Sequence, residues 1–215
     1  MRIKFLMFIV LLTTCLCVKG QIQTIDKIFV QMPDSLMPYL TKNNKLDMID
    51  FVKANMKSEV NNRLNGTSVM LTLDSTYLKI QMNPAVNIEM KLLKPAGQLV
   101  DSAEWVVCML KTFGNNGSES EVDFYTSKWN KLDINSPFHE FNQSDFLFRP
   151  DTMSIEEYNE AIDKPNAYMY SANLSNKDES MILWISTTIL PTEQKSIIKP
   201  TLRSKRLLWN GYMFK

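Results

Sequence analysis

His139 is the only histidine in a chain of 215 residues, so every mechanism that needs an imidazole must run through it. Serine and cysteine hydrolases both use a histidine to take the proton of the nucleophile. His139 stands in Ser136-Pro137-Phe138-His139-Glu140-Phe141-Asn142, a polar loop with aromatics, and no Gly-x-Ser-x-Gly elbow accompanies it. Cys108 lies inside the apolar run Trp105-Val106-Val107-Cys108-Met109-Leu110, which reads as a buried strand. Burial in apolar surroundings raises a thiol pKa and makes it inert, so Cys108 reads as a packing residue. Structural and catalytic zinc sites draw several His or Cys ligands. Calcium needs clustered oxygens, and Asp145, Asp151 and Glu156-Glu157 are too spread for one loop. The six glycines form no phosphate-cradling motif. These residues assign no catalytic group, no metal and no cofactor.

Carboxylates are the chemistry that remains. A glycosidase needs two acids roughly 5–10 Å apart across the sugar bond. With 23 acidic residues, spacing along the chain singles out no pair. A carboxylate-dependent hydrolase acting on envelope carbohydrate therefore stays as the alternative to a binding function.

The segment from Leu132 to Asp151 is long and holds Phe138, Phe141, Phe146 and Phe148 together with His139, Glu140, Asp145 and Arg149. Long loops serve function or are disordered, and four phenylalanines argue against disorder. One reading pins this loop to a sheet by its aromatics. The other makes it a recognition surface, with Phe141, Arg149 and Tyr158 as binding residues. Met32-Pro33-Asp34-Ser35-Leu36-Met37-Pro38-Tyr39 offers a second contact patch, against the simpler reading that it packs on the sheet.

Residues 1–20 read as a secretory signal. Arg2 and Lys4 form a positive start, Phe5 to Leu12 is an apolar run, and Val18 and Gly20 place small residues before a cut at Gln21. The run is shorter than the roughly 20 residues that span a bilayer. Leu11-Leu12-Thr13-Thr14-Cys15 also resembles a lipoprotein box, the weaker reading because a Thr precedes the Cys. Arg2, Lys4 and Lys19 leave with the signal, so 24 basic residues become 21 against 23 acidic ones, a net charge of −2. No basic excess remains to condense on phosphates, which excludes nucleic acid as a partner. The Arg203, Lys205, Arg206 cluster reads as a solvated turn. No transmembrane segment is expected in the mature chain, and Cys108 alone can form no internal disulfide.

The elements that must position these groups show a period of two. Val69, Leu71 and Leu73, then Leu78, Ile80 and Met82, then Val86, Ile88, Met90 and Leu92 alternate with a set that includes Thr72, Lys79, Asn87, Glu89 and Lys91. This predicts three half-buried strands with one wet face, and their short links demand antiparallel pairing. Further strands are expected near 104–113, 121–129, 167–174 and 181–189. A last strand or hairpin covers Leu207 to Phe214. Asn44 is expected to cap a helix bearing Leu46, Ile49, Val52 or Phe51, and Met56 on one side. Two more helices are expected, from Ser154 to Asp163 and from Thr192 to Ile198. The fold class is α+β: antiparallel meandering sheet or sheets with a few helices packed on one face. The domain reading is a signal at 1–20 and a single α+β domain at 21–215. Phe29-Val30-Gln31-Met32-Pro33-Asp34-Ser35-Leu36 echoes Phe146-Leu147-Phe148-Arg149-Pro150-Asp151-Thr152-Met153, which raises the option of two helix-plus-meander halves, 21–145 and 146–215. Against it stands the bland fact that Pro-Asp-Ser/Thr starts helices well.

The run from Ile28 to Leu40, the following Asp47-Met48-Ile49-Asp50-Phe51, and Phe148-Arg149-Pro150-Asp151-Thr152-Met153 resemble an uncharacterised family of secreted Bacteroidales proteins that carries a domain-of-unknown-function label. The resemblance implies export in a Gram-negative bacterium and supplies no activity, ligand or catalytic residue. The expectation is a non-catalytic exported binding or accessory protein, periplasmic or at the cell surface, whose partner is a protein or glycan of the cell envelope. A protease-inhibitor-like or chaperone-like module is a third option.

Overall fold

The alternation builds a meander of six strands: β1 (Glu59–Asn61), β2 (Thr67–Leu73), β3 (Tyr77–Asn83), β4 (Val86–Leu93), β5 (Val106–Phe113) and β6 (Glu119–Thr126). Each pairs antiparallel with the next, in chain order. The links are built for it. The Asp74 carboxylate accepts from the backbone of Thr76 at 2.8 Å and Tyr77 at 2.7 Å, which closes the β2–β3 turn. The computed structural model describes residues 23–97, 105–114, 119–163 and 168–215. The expected signal at 1–20, the turn at 115–118 and Pro165 lie outside them. Among the described residues a second antiparallel sheet follows, with β7 (Met169–Leu174), β8 (Ser180–Ser186) and β9 (Lys205–Leu208) in that order. The helices are α1 (Ile25–Val30), α2 (Lys42–Lys53), α3 (Ile155–Asp163) and α4 (Thr192–Ile198). The α+β class is as the sequence implies, with two sheets.

The six-stranded sheet is the middle layer. On one face α1 and α2 bury Ile28, Phe29, Met48 and Ile49 against Leu78, Ile80, Ile88, Met90, Val107 and Met109. On the other, Val106, Cys108, Leu110 and Phe124 meet Ala172, Leu174, Met181, Leu183 and Ile185 of the second sheet. This second contact corrects the expectation of a wet face. Glu89 and Lys91 are only 3% and 4% exposed, because β7 is laid across β4, β5 and β6. Cys108 lies in this interface, fully buried, and burial raises its thiol pKa well above the usual value.

Three local expectations are also corrected. In β2, Ser68 and Met70 point inward and Leu71 is 52% exposed. The register slips between Met70 and Thr72, so Leu71 is the extra residue of a bulge, and Leu73 returns to the inner face opposite Leu78. A bulge inverts the parity of a strand, which no alternation count detects. In α2 the cap is Thr41 and not Asn44. Thr41 Oγ1 accepts from Asn44 N at 3.0 Å while Asn44 Oδ1 accepts from Thr41 N at 3.0 Å, a reciprocal capping box. The helix buries Lys45, Met48 and Ile49 and leaves Leu46 exposed, and it ends before Met56, which is exposed too. Finally, Met32 and Met37 are buried, so these two anchor the 32–39 segment to the core, while Pro33, Asp34, Ser35, Pro38 and Tyr39 stay exposed. Helix α1 and strand β1, of six and three residues, are too short to show a period.

Two features lock α1 in place. Lys45, 1% exposed, sends Nζ to the Met32 carbonyl at 2.6 Å, and burial lowers its pKa. Trp129 sits at φ 67°, a left-handed backbone that costs a bulky residue of order 1–3 kcal/mol. In return its indole Nε1 donates to the Ile28 carbonyl at 3.0 Å. In the two Pro-Asp-Ser/Thr segments, Phe29 lies within a helix and Phe146 closes a 3₁₀ turn.

The β7–β8 turn yields a pH prediction. Hydrogen bonds from Ser180 and Ser175, then the charge and hydrogen bond of Arg206, lower the Asp178 carboxyl to about 2; Arg206 Nη2 lies 2.6 Å away. The folded pKa lies below the ordinary 3.8, so this stabilisation is present above that value and is lost as pH falls through about 2. Asp178→Asn should flatten the acid limb of a thermal midpoint against pH plot. A limb of unchanged slope in the variant contradicts this.

Candidate binding cleft

Beyond β8 the chain leaves the sheet through Ser186-Thr187-Thr188, a run of hydroxyls. Ser186 Oγ and Thr188 Oγ1 lie 2.6 Å apart, and Leu190 N donates to Thr187 O to turn the chain. Helix α4 follows, anchored by buried Ile198, whose carbonyl accepts from Thr201 Oγ1 at 2.8 Å. Lys195 on α4 reaches back to Thr188 O at 3.0 Å. After a 3₁₀ turn at Lys199–Thr201, Leu202 bridges to Leu147 and Arg203 Nε donates to the Asp145 carbonyl at 3.0 Å. These segments enclose an open cleft of about 470 Å³. Trp184, the hydroxyls of residues 186–188, Lys195, Arg203 and Ser204 line it.

The electrostatics of this cleft are one-sided. No carboxylate lines it. Among the described residues, neither Lys195 nor Arg203 has an acid within 4 Å, whereas neighbouring Lys205 pairs with Asp145 at 3.5 Å and Arg206 with Asp178. The basic cluster read as a solvated turn is therefore divided: β9 carries Lys205 and Arg206 into ion pairs, and Arg203 is left facing the cleft. A second depression, between α1 and α2, is floored by Val30, Leu46 and Ile49. Its rim mixes acids with bases, and Lys53 pairs with Asp26 at 2.7 Å.

The long loop behaves as a pinned element. Phe146 is fully buried, and Phe138 and Phe141 pack against the same core, while Phe148 is exposed. Phe141 meets Phe146 edge-on at 5.8 Å and lies 5.0 Å from Lys205 Nζ. Arg149 is exposed and donates from Nη1 to Met153 O at 2.7 Å. Tyr158 is half-buried on α3. Among the described residues no hydrogen bond or ring contact joins Phe141 to Arg149 or Tyr158. The loop reaches the cleft through its 145–147 stretch instead. His139 closes a short 3₁₀ turn capped by Ser136. Among the described residues no three His, Cys, Asp or Glu side chains are grouped to hold a metal, and no helix is long and apolar enough to cross a membrane.

The model of the family described as "Protein of unknown function (DUF3256)" matches residues 17–214. The chain belongs to that family. No curated protein matches it. A solved structure, a domain of an uncharacterized protein from Porphyromonas gingivalis W83, is similar with a TM-score of 0.65 at 21% identity, over 89% of this chain and 96% of that one. At that identity the likeness speaks for the fold of this DUF3256 chain.

Trp184, Lys195 and Arg203 escaped sequence reasoning. Trp184 hid in an apolar run, and its two cations lie on separate segments. The usable signal was the Ser-Thr-Thr run leaving a strand, followed by cations with few acids nearby.

The pinned loop generates a contrast. Phe141→Ala should lower stability by about 1–2 kcal/mol through lost packing, and Arg149→Ala by less than about 1 kcal/mol, measured by urea unfolding. Equal effects would contradict the pinning.

Proposed function

We propose that this protein is a non-catalytic binding or accessory protein, exported to the bacterial cell envelope, that captures an anionic partner through the cleft between β8, α4 and residues 202–204. The targeting pattern at residues 1–20 supports export. One observation carries the binding reading: Lys195 and Arg203 line an open cleft whose lining holds no carboxylate, the Asp145 carboxylate that feels the Arg203 charge standing outside that lining. Positive charge in a partly enclosed site with no acid in its lining favours an anion. Hydrolysis of carbohydrate would need paired acids in such a cleft, and the cleft lining contains none. Asp145, Asp178, Asp123 and Glu89 are each committed to a lysine or arginine elsewhere. The partner is a protein or glycan of the envelope that bears negative charge.

Citrate serves as a simple anionic probe. At a concentration roughly 100-fold above its Kd it should raise the thermal midpoint by about 5–10 °C. Added salt should weaken the effect, and the Lys195→Gln, Arg203→Gln double variant should lose it. No anion response, together with steady release of reducing sugar from envelope polysaccharide, would reverse the assignment in favour of the hydrolase.

A further inference from the structure

We infer that the ligand of this cleft is an acidic sugar, with its ring on Trp184 and its acidic group between Lys195 and Arg203. This rests on the anion-binding reading above and adds the ring. Trp184 is half-buried on β8, directly opposite Ser171 of β7, and its remaining surface lines the cleft. An aromatic residue in the lining of a polar cleft suits a ligand that is apolar on one side and hydroxylated on its edge. A sugar ring has that form. Hydroxyls of the Ser186–Thr188 run and Ser204 supply groups that both donate and accept, as sugar hydroxyls require. Thr188 is oriented for this by its 2.6 Å contact with Ser186.

The cations select for charge. Arg203 is exposed, and its Nε is engaged by the Asp145 carbonyl. Its terminal N–H groups are thereby aimed from a fixed point, the arrangement that grips a carboxylate or phosphate in two places. Lys195 is steadied by Thr188 O and adds a point charge. A bare anion would leave the indole unused, and a neutral sugar would leave the two cations of the lining without an anion in the cleft. Nucleic acid is disfavoured by the single aromatic, where strand binding stacks successive bases on several. The volume, about 470 Å³, falls in the range of about 300–1,000 Å³ typical of small-molecule sites.

Calorimetric titration of the full chain with four probes tests this. Trigalacturonate carries carboxylates on rings, glucose 6-phosphate carries a phosphate on a ring, maltotriose is neutral, and citrate is charge without a ring. At least one acidic sugar should bind about tenfold or more tighter than both maltotriose and citrate; whichever wins identifies the acidic group. Trp184→Ala and Arg203→Gln should each weaken that probe about tenfold. Arg203 is exposed, so its variant keeps the fold. In the unaltered chain the Trp184 indole N–H resonance, assigned with Trp184→Phe, should shift on adding the winning sugar and stay in place with citrate. Citrate binding as tightly as the sugars, with Trp184 silent, overturns the sugar and leaves the anion site standing. Maltotriose matching the acidic sugars overturns the acidic group. If none of the four binds, this inference and the reading beneath it fall together.

Discussion

Glu89 sits between two sheets with its side chain 4% exposed, and its carboxylate is the joint on which the molecule is assembled. Taking a carboxylate out of water costs several kcal/mol unless partners compensate it. Here they come from both sides. Lys79, directly across from Glu89 on β3, places Nζ 2.8 Å from Oε1, and Tyr77 donates its phenol hydrogen. From the second sheet, the backbone N–H of Leu174 donates to Oε2 at 2.8 Å. Burial, then the charge and hydrogen bond of Glu89, raise the Tyr77 pKa, so that hydroxyl keeps its proton as a donor.

The Leu174 contact solves a problem of β7. That strand is the outer member of its sheet, and an outer strand carries a row of N–H groups with no ladder partner. The first sheet answers them with side chains: Glu89 takes Leu174 N, and Ser120 Oγ takes Ala172 N at 3.1 Å. Further ties follow the same seam. Lys91 Nζ reaches Asn176 O at 3.3 Å, Glu179 Oε1 accepts Lys94 N at 3.1 Å, and Trp209 Nε1 donates to Lys94 O at 2.7 Å. At its far end the Asn210–Gly211 turn is held by close approach: Gly211, at φ 96°, leaves no room for a Cβ beside Ala96. With its inner face and outer edge engaged, the second sheet can present Trp184 outward without shifting.

The meander was legible because half-buried strands print their alternation directly. What covers the other face was not, because it depends on a partner far along the chain. Leu174 lies 85 residues from Glu89, and nothing local marks β4 as doubly buried. Its charged letters read as solvent-facing, as they would be without the second sheet. Leu71 misled for a related reason, since a bulge changes which face a residue takes without changing the letters. Asn44 was recognised as a capping residue and misplaced by one role, because both ends of a capping box use the same residue types. Cys108 was read correctly as a packing group from its apolar context, and of the two readings of the long loop the buried Phe146 fits the pinned one. The cleft needed three dimensions: Trp184, Lys195 and Arg203 belong to a strand, a helix and a loop that meet only after the chain folds.

The central claim is that first-sheet side chains close the outer edge of β7. Amide hydrogen exchange at Leu174 tests it most directly, in the unaltered chain and in Glu89→Leu. The account predicts that Leu174 exchanges as slowly as its ladder-bonded neighbour Asn173 in the unaltered chain. In the variant it should lose about tenfold or more of its protection relative to Met109 in the core, because an unpaired buried N–H costs about 1–3 kcal/mol. A Leu174 amide that exchanges freely in the unaltered chain, or one whose protection survives loss of the carboxylate, would contradict it.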